Sequence, residues 1–202
     1  MAYANFSLSQ LEKKFGLDVA LSTDLFEEVP PQAISPLLAE VLKETIPLAL
    51  AVNTEKARSE FIVAPVLTEL RRRLDHRISL FSGVEFNVDP ENGLDGVCDF
   101  LVTRSAQQLL IEAPILALVE AKNDNIKAGL PQCIAEMIAA QLFNERENNN
   151  IPSVYGCVTT GSLWNFLTLS GQTARVDSRE YSIEKPEKIL GILLRMAAPP
   201  TG

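Results

Sequence analysis

One segment constrains this chain more than any other: the apolar run Ile115, Leu116, Ala117, Leu118 and Val119, which ends in Glu120, Ala121 and Lys122. An unbroken apolar run of this length suits a strand covered on both faces. Side chains alternate across a strand, so Leu116, Leu118, Glu120 and Lys122 are expected on one face. A carboxylate and an amine then stand side by side at the end of a buried strand. Burying either charge alone is costly. A neutralising ion pair is one account of the two residues, and a reactive site is the other.

A second strand is predicted over Val97 to Thr103, and Asp99 interrupts it on the face of Val97 and Leu101. Asp is a poor strand former and is rarely buried without partners. It could bond backbone amides near the turn signals Asn92, Gly93, Asp95 and Gly96. It could instead converge on Glu120 if the two strands pair. Two carboxylates held together repel unless a cation lies between them, and hard oxygen ligands select Mg2+ or Mn2+.

A third acid precedes both. Thr54 is a helix cap, and the helix after it is expected to run to about His76. Val63, Ala64, Leu67, Leu70 and Leu74 form its apolar stripe, with Glu60 one turn earlier on the same face. Glu60 is read either as an inward acid at a metal or as a first-turn residue favoured by the helix dipole.

The remaining pattern gives the fold class. Helices are predicted over Leu8 to Phe15 and from Ser35 and Pro36 to about Val52. A strand follows over Ile78 to Val88. After Lys122 come a helix from about Leu130 to Glu147, strands over Val154 to Thr160 and Leu163 to Leu169, and a closing helix from about Pro186 to Met196. This order predicts an α/β protein with a mixed β-sheet flanked by helices. Residues 1–202 are read as a single domain, with a core of about 54–170 and an N-terminal helical extension over 1–53.

Glu60, Asp99 and the Glu120, Ala121, Lys122 triplet together resemble the PD-(D/E)xK nuclease superfamily, the restriction-endonuclease-like fold. The likeness covers roughly Thr54 to Leu169. It points most to the branch with the N-terminal nuclease domains of type I restriction subunits and related small bacterial proteins. The resemblance implies Asp99 and Glu120 as metal ligands, Lys122 as catalytic lysine and Glu60 as an accessory acid that also reaches the metal. Many relatives carry Gln-x-x-x-Tyr on the next helix. Here Gln132 fills the first place and Glu136 stands in the last, so Gln132 is carried over as a residue that orients Lys122 or touches DNA. The implied activity is Mg2+- or Mn2+-dependent hydrolysis of phosphodiester bonds, in DNA rather than RNA. A nuclease-like domain without activity, acting in protein interaction or scaffolding, is the alternative.

Composition narrows the other classes. A single histidine, His76, argues against zinc sites and against Ser-His-Asp or Cys-His catalysis. Cys98, Cys133 and Cys157 are too scattered for a metal knuckle and read as buried free thiols. The net charge of −8 argues against strong non-specific nucleic-acid binding. Arg71, Arg72 and Arg73 read as a solvated helix end, Lys127 as the cation nearer the proposed site, and Trp164 and Phe166 as packing residues. No run is long enough to cross a bilayer and no secretion leader is recognisable, so a cytoplasmic protein without a membrane partner is expected. A homodimer would suit cutting both strands of a duplex, though no residue establishes one.

Overall fold

The computed structural model describes residues 2–22, 24–149 and 151–198. Its N-terminal helix, α1 (Leu8–Phe15), is closed at one end by a reciprocal box between Ser7 and Gln10. Gly16 ends it in the left-handed conformation, with φ +64°. β1 (Asp18–Ser22) follows, then α2 (Pro36–Val52), which Ser35 caps through the amide of Leu38. Thr54 caps α3 (Glu55–Arg58), which leads through a wide π turn (Ser59–Val63) into α4 (Ala64–Arg73). α4 stops three residues before the expected end, because Asp75 and His76 adopt left-handed backbone that no helix continues through.

The strands that carry the candidate site come next: β2 (Ser79–Glu85), β3 (Val97–Thr103) and β4 (Ile115–Ala121). α5 (Ile126–Arg146) crosses over to β5 (Val154–Thr159). Then come β6 (Leu163–Ser170), β7 (Thr173–Asp177), β8 (Tyr181–Ser182) and α6 (Pro186–Ala197). The bounds of β3 and β4 match the sequence pattern. α5 starts earlier than expected, because Asn125 caps it by accepting from the Ala128 amide, and Pro131 is carried inside the helix instead of marking its first turn.

All strands join one 8-stranded mixed sheet, ordered β1-β7-β6-β5-β4-β3-β2, with β8 paired to β6 off that path. β4 and β5 run parallel, which requires a crossover, and α5 supplies it. Among the described residues β1, β7 and β8 are the strands that the sequence pattern did not yield. β1 lies within the segment expected to be purely helical and pairs with β7 at the sheet edge. These are short strands with mixed burial, so their alternation is weak as a signal.

Helices cover both faces of the sheet. One core packs α2, α4 and α6 on Phe100, Val102, Val119, Trp164 and Phe166. The other packs α1 and α5 on Leu101, Leu118, Val158 and Leu167. Trp164 and Phe166 are fully buried, and the Trp164 indole donates to the Gly161 carbonyl at 2.9 Å. All three cysteines are buried free thiols, as expected. The β3–β4 register slips between Val102 and Thr103, so Leu116 joins the first core while Leu118 stays in the second. The expectation that Leu116 shares a face with Leu118 fails at this bulge.

Candidate active site at the ends of β3 and β4

The antiparallel register pairs Phe100 with Val119 and Leu101 with Leu118. The paired register ends there, and continuing it by one step brings Asp99 beside Glu120, close enough that the Asp99 charge acts on the Glu120 carboxyl. Residues continued in register across two antiparallel strands point to the same face. The two carboxylates therefore share one end of the sheet, on the side that α5 covers. The Ala121 amide donates to Asp99 Oδ2 at 2.8 Å. Asp99 thus partly fulfils the structural reading, and its other oxygen has no such duty.

Lys122 leaves β4 just past Ala121, and its ammonium donates to Glu120 Oε1. The ion pair considered from sequence therefore exists. It does not satisfy Glu120, which is 1% exposed and whose Oε2 is buried without a hydrogen-bond partner. Burial pushes the Glu120 carboxyl up to about 7, the Asp99 charge adds to the rise, and Lys122 opposes it. Burial likewise raises Asp99, against the pull of the Ala121 amide and Lys122. Burial alone would lower Lys122, but attraction to Glu120 and the hydrogen bond to it hold the amine above its ordinary value.

The α5 helix completes this corner. Gln132 turns its Oε1 toward Lys122 Nζ at 3.4 Å and donates from Nε2 to Glu136 Oε1 at 3.1 Å. Gln132 is thus brought to Lys122, as the resemblance implied. Glu136 is fully buried, and burial and the nearby Glu120 charge raise its carboxyl well above the ordinary range. α5 comes this close because Gly129 has no side chain. A Cβ there would lie 2.6 Å from Val158 Cγ1 and 3.1 Å from Lys122 Cγ. Gly129→Ala is expected to cost about 1–3 kcal/mol by overpacking, read as a lowered urea midpoint, and to push the Lys122 stem aside.

Glu60 is not on the inward stripe where the sequence placed it. Its side chain is 54% exposed and pairs with Lys56 at 2.7 Å. The cause is the π turn, whose extra residue aligns buried Ala57 with Ile62, five residues on, and rotates Glu60 outward. Glu60 still borders a cavity of about 240 Å³ together with Glu55, Ser82, Gly83 and Asp99. Gly83 falls between the Ser82–Phe100 and Val84–Cys98 pairs of the β2–β3 ladder, in left-handed backbone with φ +60°. Glu55, not singled out from sequence, is the helical acid whose charge reaches Glu120 and Lys122. Its place directly after the Thr54 cap was the available signal.

A second cleft of about 380 Å³ adjoins the loop after Lys122. Arg58, Lys127, Asn123, Asn125, Thr160 and Ser162 line it, with Asp124 and Glu180. Lys127 thus faces this neighbouring cleft. Arg71, Arg72 and Arg73 lie elsewhere, tied to the Ile78 carbonyl, Glu69 and the Ala33 carbonyl.

A divalent cation can be tested against these groups. Among the described residues no three His, Cys, Asp or Glu side chains are assembled to hold a metal. Mg2+, however, commonly keeps several waters and takes only one or two carboxylates. Asp99 and the orphaned Glu120 Oε2 supply that number. The donor set is all oxygen, so it fits a hard cation and no softer one. No family model, no curated protein and no solved structure matches this chain.

Proposed function

We propose that this protein is a metal-dependent nuclease of the PD-(D/E)xK type, hydrolysing phosphodiester bonds in DNA at the site made by Asp99, Glu120 and Lys122. One observation carries this reading. The buried Glu120 Oε2 has no partner and lies near a second carboxylate, Asp99, although a lysine already neutralises its other oxygen. A purely structural ion pair needs one acid for one base. Here Asp99, Glu120 and Glu136 crowd a single ammonium, with Glu55 close by. Keeping these carboxyls ionised together in one buried corner is costly unless the corner receives a cation.

In this reading Asp99 and Glu120 would hold Mg2+ or Mn2+, which when bound would supply Lewis-acid polarisation of the phosphate and a more acidic water. Lys122 keeps its proton and donates to a phosphoryl oxygen as charge builds there. Gln132 steadies Lys122, and the α5 face excludes bulk water from the pair. As a bond forms from water oxygen to phosphorus, the opposite P–O bond breaks; the attacking water gives up a proton to solvent and the departing oxygen takes one from a solvent water. The Arg58 and Lys127 cleft offers a place for a neighbouring backbone phosphate. The same assignment makes the sheet and its helices a restriction-endonuclease-like core.

Titration calorimetry with Mn2+ tests the first step. Wild type is expected to bind, and Asp99→Ala to weaken binding by about tenfold or more, as loss of one charged ligand costs at least ~1.4 kcal/mol. Equal affinity in the two proteins would remove Asp99 from the site.

A second reading has an observation of its own. Leu37, Leu48 and Val52 are exposed along one side of α2, with half-buried Val41 between them. Exposed apolar side chains grouped in this way favour a protein partner, whether another copy or a different chain. This is the interaction reading, and it predicts a stable complex without cleavage.

A further inference from the structure

Glu136 sits where nothing in the reaction touches it, yet it is fully buried and its Oε2 has no partner. A fully buried carboxyl on an otherwise apolar helix face is expensive to keep. Its one hydrogen bond, from Gln132 Nε2 at 3.1 Å, settles how the Gln132 amide is turned. An amide has a donor end and an acceptor end. With the donor end taken by Glu136, only the acceptor end can face Lys122, and it does so at 3.4 Å. Turned the other way, Gln132 would present N–H groups to an ammonium, which repels them.

We infer that Glu136 is a positioning residue, which locks the Gln132 amide so that its oxygen holds the Lys122 ammonium against Glu120. The chain of contacts runs Glu136, Gln132, Lys122, Glu120, across one turn of α5 and onto the end of β4. Glu136 needs only an acceptor oxygen for this, so an amide can replace it and an apolar side chain cannot. The inference builds on the proposed role of Lys122, but the contacts themselves can be tested without DNA.

The test is the rate at which the Lys122 amine of the full chain is acetylated, read residue by residue by mass spectrometry. Lys188 serves as internal control, because its amine is held by the Phe26, Glu27 and Val29 carbonyls far from this corner. In Glu136→Leu, Lys122 is expected to react about fivefold faster, as loss of one ordinary hydrogen bond predicts, with Lys188 unchanged. Glu136→Gln is expected to react at the wild-type rate. Gln132→Leu should give the same acceleration, and combining it with Glu136→Leu should add nothing further, as for two members of one chain. Gln132→Leu also stands alone should Glu136→Leu fail to fold.

The inference is overturned if Lys122 in Glu136→Leu or Gln132→Leu reacts at the wild-type rate. It is overturned equally if Glu136→Gln reacts as fast as Glu136→Leu, or if Lys188 accelerates alongside Lys122. Cleavage is scored on the same samples. Absence of cleavage in wild type counts against the nuclease reading alone, since the acetylation rates are measured without substrate.

Discussion

Lys122→Ala is expected to lower DNA cleavage by about 100- to 1000-fold, the usual cost of losing one group aimed at charge that develops in the reaction. The same variant should bind Mn2+ at least as tightly as wild type. Lys122 competes with a cation for Glu120, because its ammonium occupies Glu120 Oε1. Removing it frees that oxygen and leaves Asp99 in place. The split matters more than either half. Loss of cleavage together with loss of Mn2+ binding would mean a collapsed corner. Retained cleavage would deny Lys122 its role. Plasmid nicking assays and titration calorimetry on one preparation measure both.

Glu120→Gln is expected to act in a pH-dependent way, and the sign follows from burial. Glu120 titrates at its ordinary 4.5 in the unfolded chain and at about 7 in the fold. The fold therefore binds this proton more tightly than the unfolded chain does. Its contribution is favourable below about pH 4.5 and is lost as pH rises through about 7. Wild type in EDTA should lose thermal stability between pH 5 and pH 8. Glu120→Gln removes that proton and should flatten the profile by about 3 °C or more, since each kcal/mol moves a domain of this size by roughly 2–4 °C. Asp99 and Glu136 are raised by burial in the same direction, so a residual slope remains. Mn2+ should restore wild-type stability at pH 8 and leave Glu120→Gln unchanged. Calorimetric scans across pH decide this, and an equal slope in both proteins would contradict the burial account of Glu120.

The parts of this site that were legible in the sequence are those carried by strands. A period of two and an apolar surround made Asp99 and Glu120 stand out, and the observed register, continued by one step, brings them together. Lys122 followed from parity, and Gln132 from the resemblance; both meet in the fold. Glu60 failed because periodicity on a helix assumes a regular turn. The π turn over Ser59–Val63 breaks that assumption, and no residue type marks such a turn. Glu55 was hidden because an acid in a first turn looks like dipole compensation. The weight of Glu136 depends on burial and on its bond to Gln132, both of which arise from packing between α5 and β4.

The mixed sheet was legible for a similar reason. Long apolar strands such as β4 declare themselves. β1 and β7, each five residues with mixed exposure, are held by pairing with neighbouring strands and carry little pattern of their own. The bulge that reverses Leu116 belongs to the same class of event, being a property of two strands together.

Asp99 and Glu120 are proposed to form a working metal site for phosphodiester hydrolysis. Supercoiled plasmid incubated with the purified chain tests it most directly. Nicking in Mg2+ that EDTA abolishes, and that Asp99→Ala loses by about 100-fold or more, is the predicted result. No nicking by wild type in either Mg2+ or Mn2+, or equal nicking by Asp99→Ala, would contradict it.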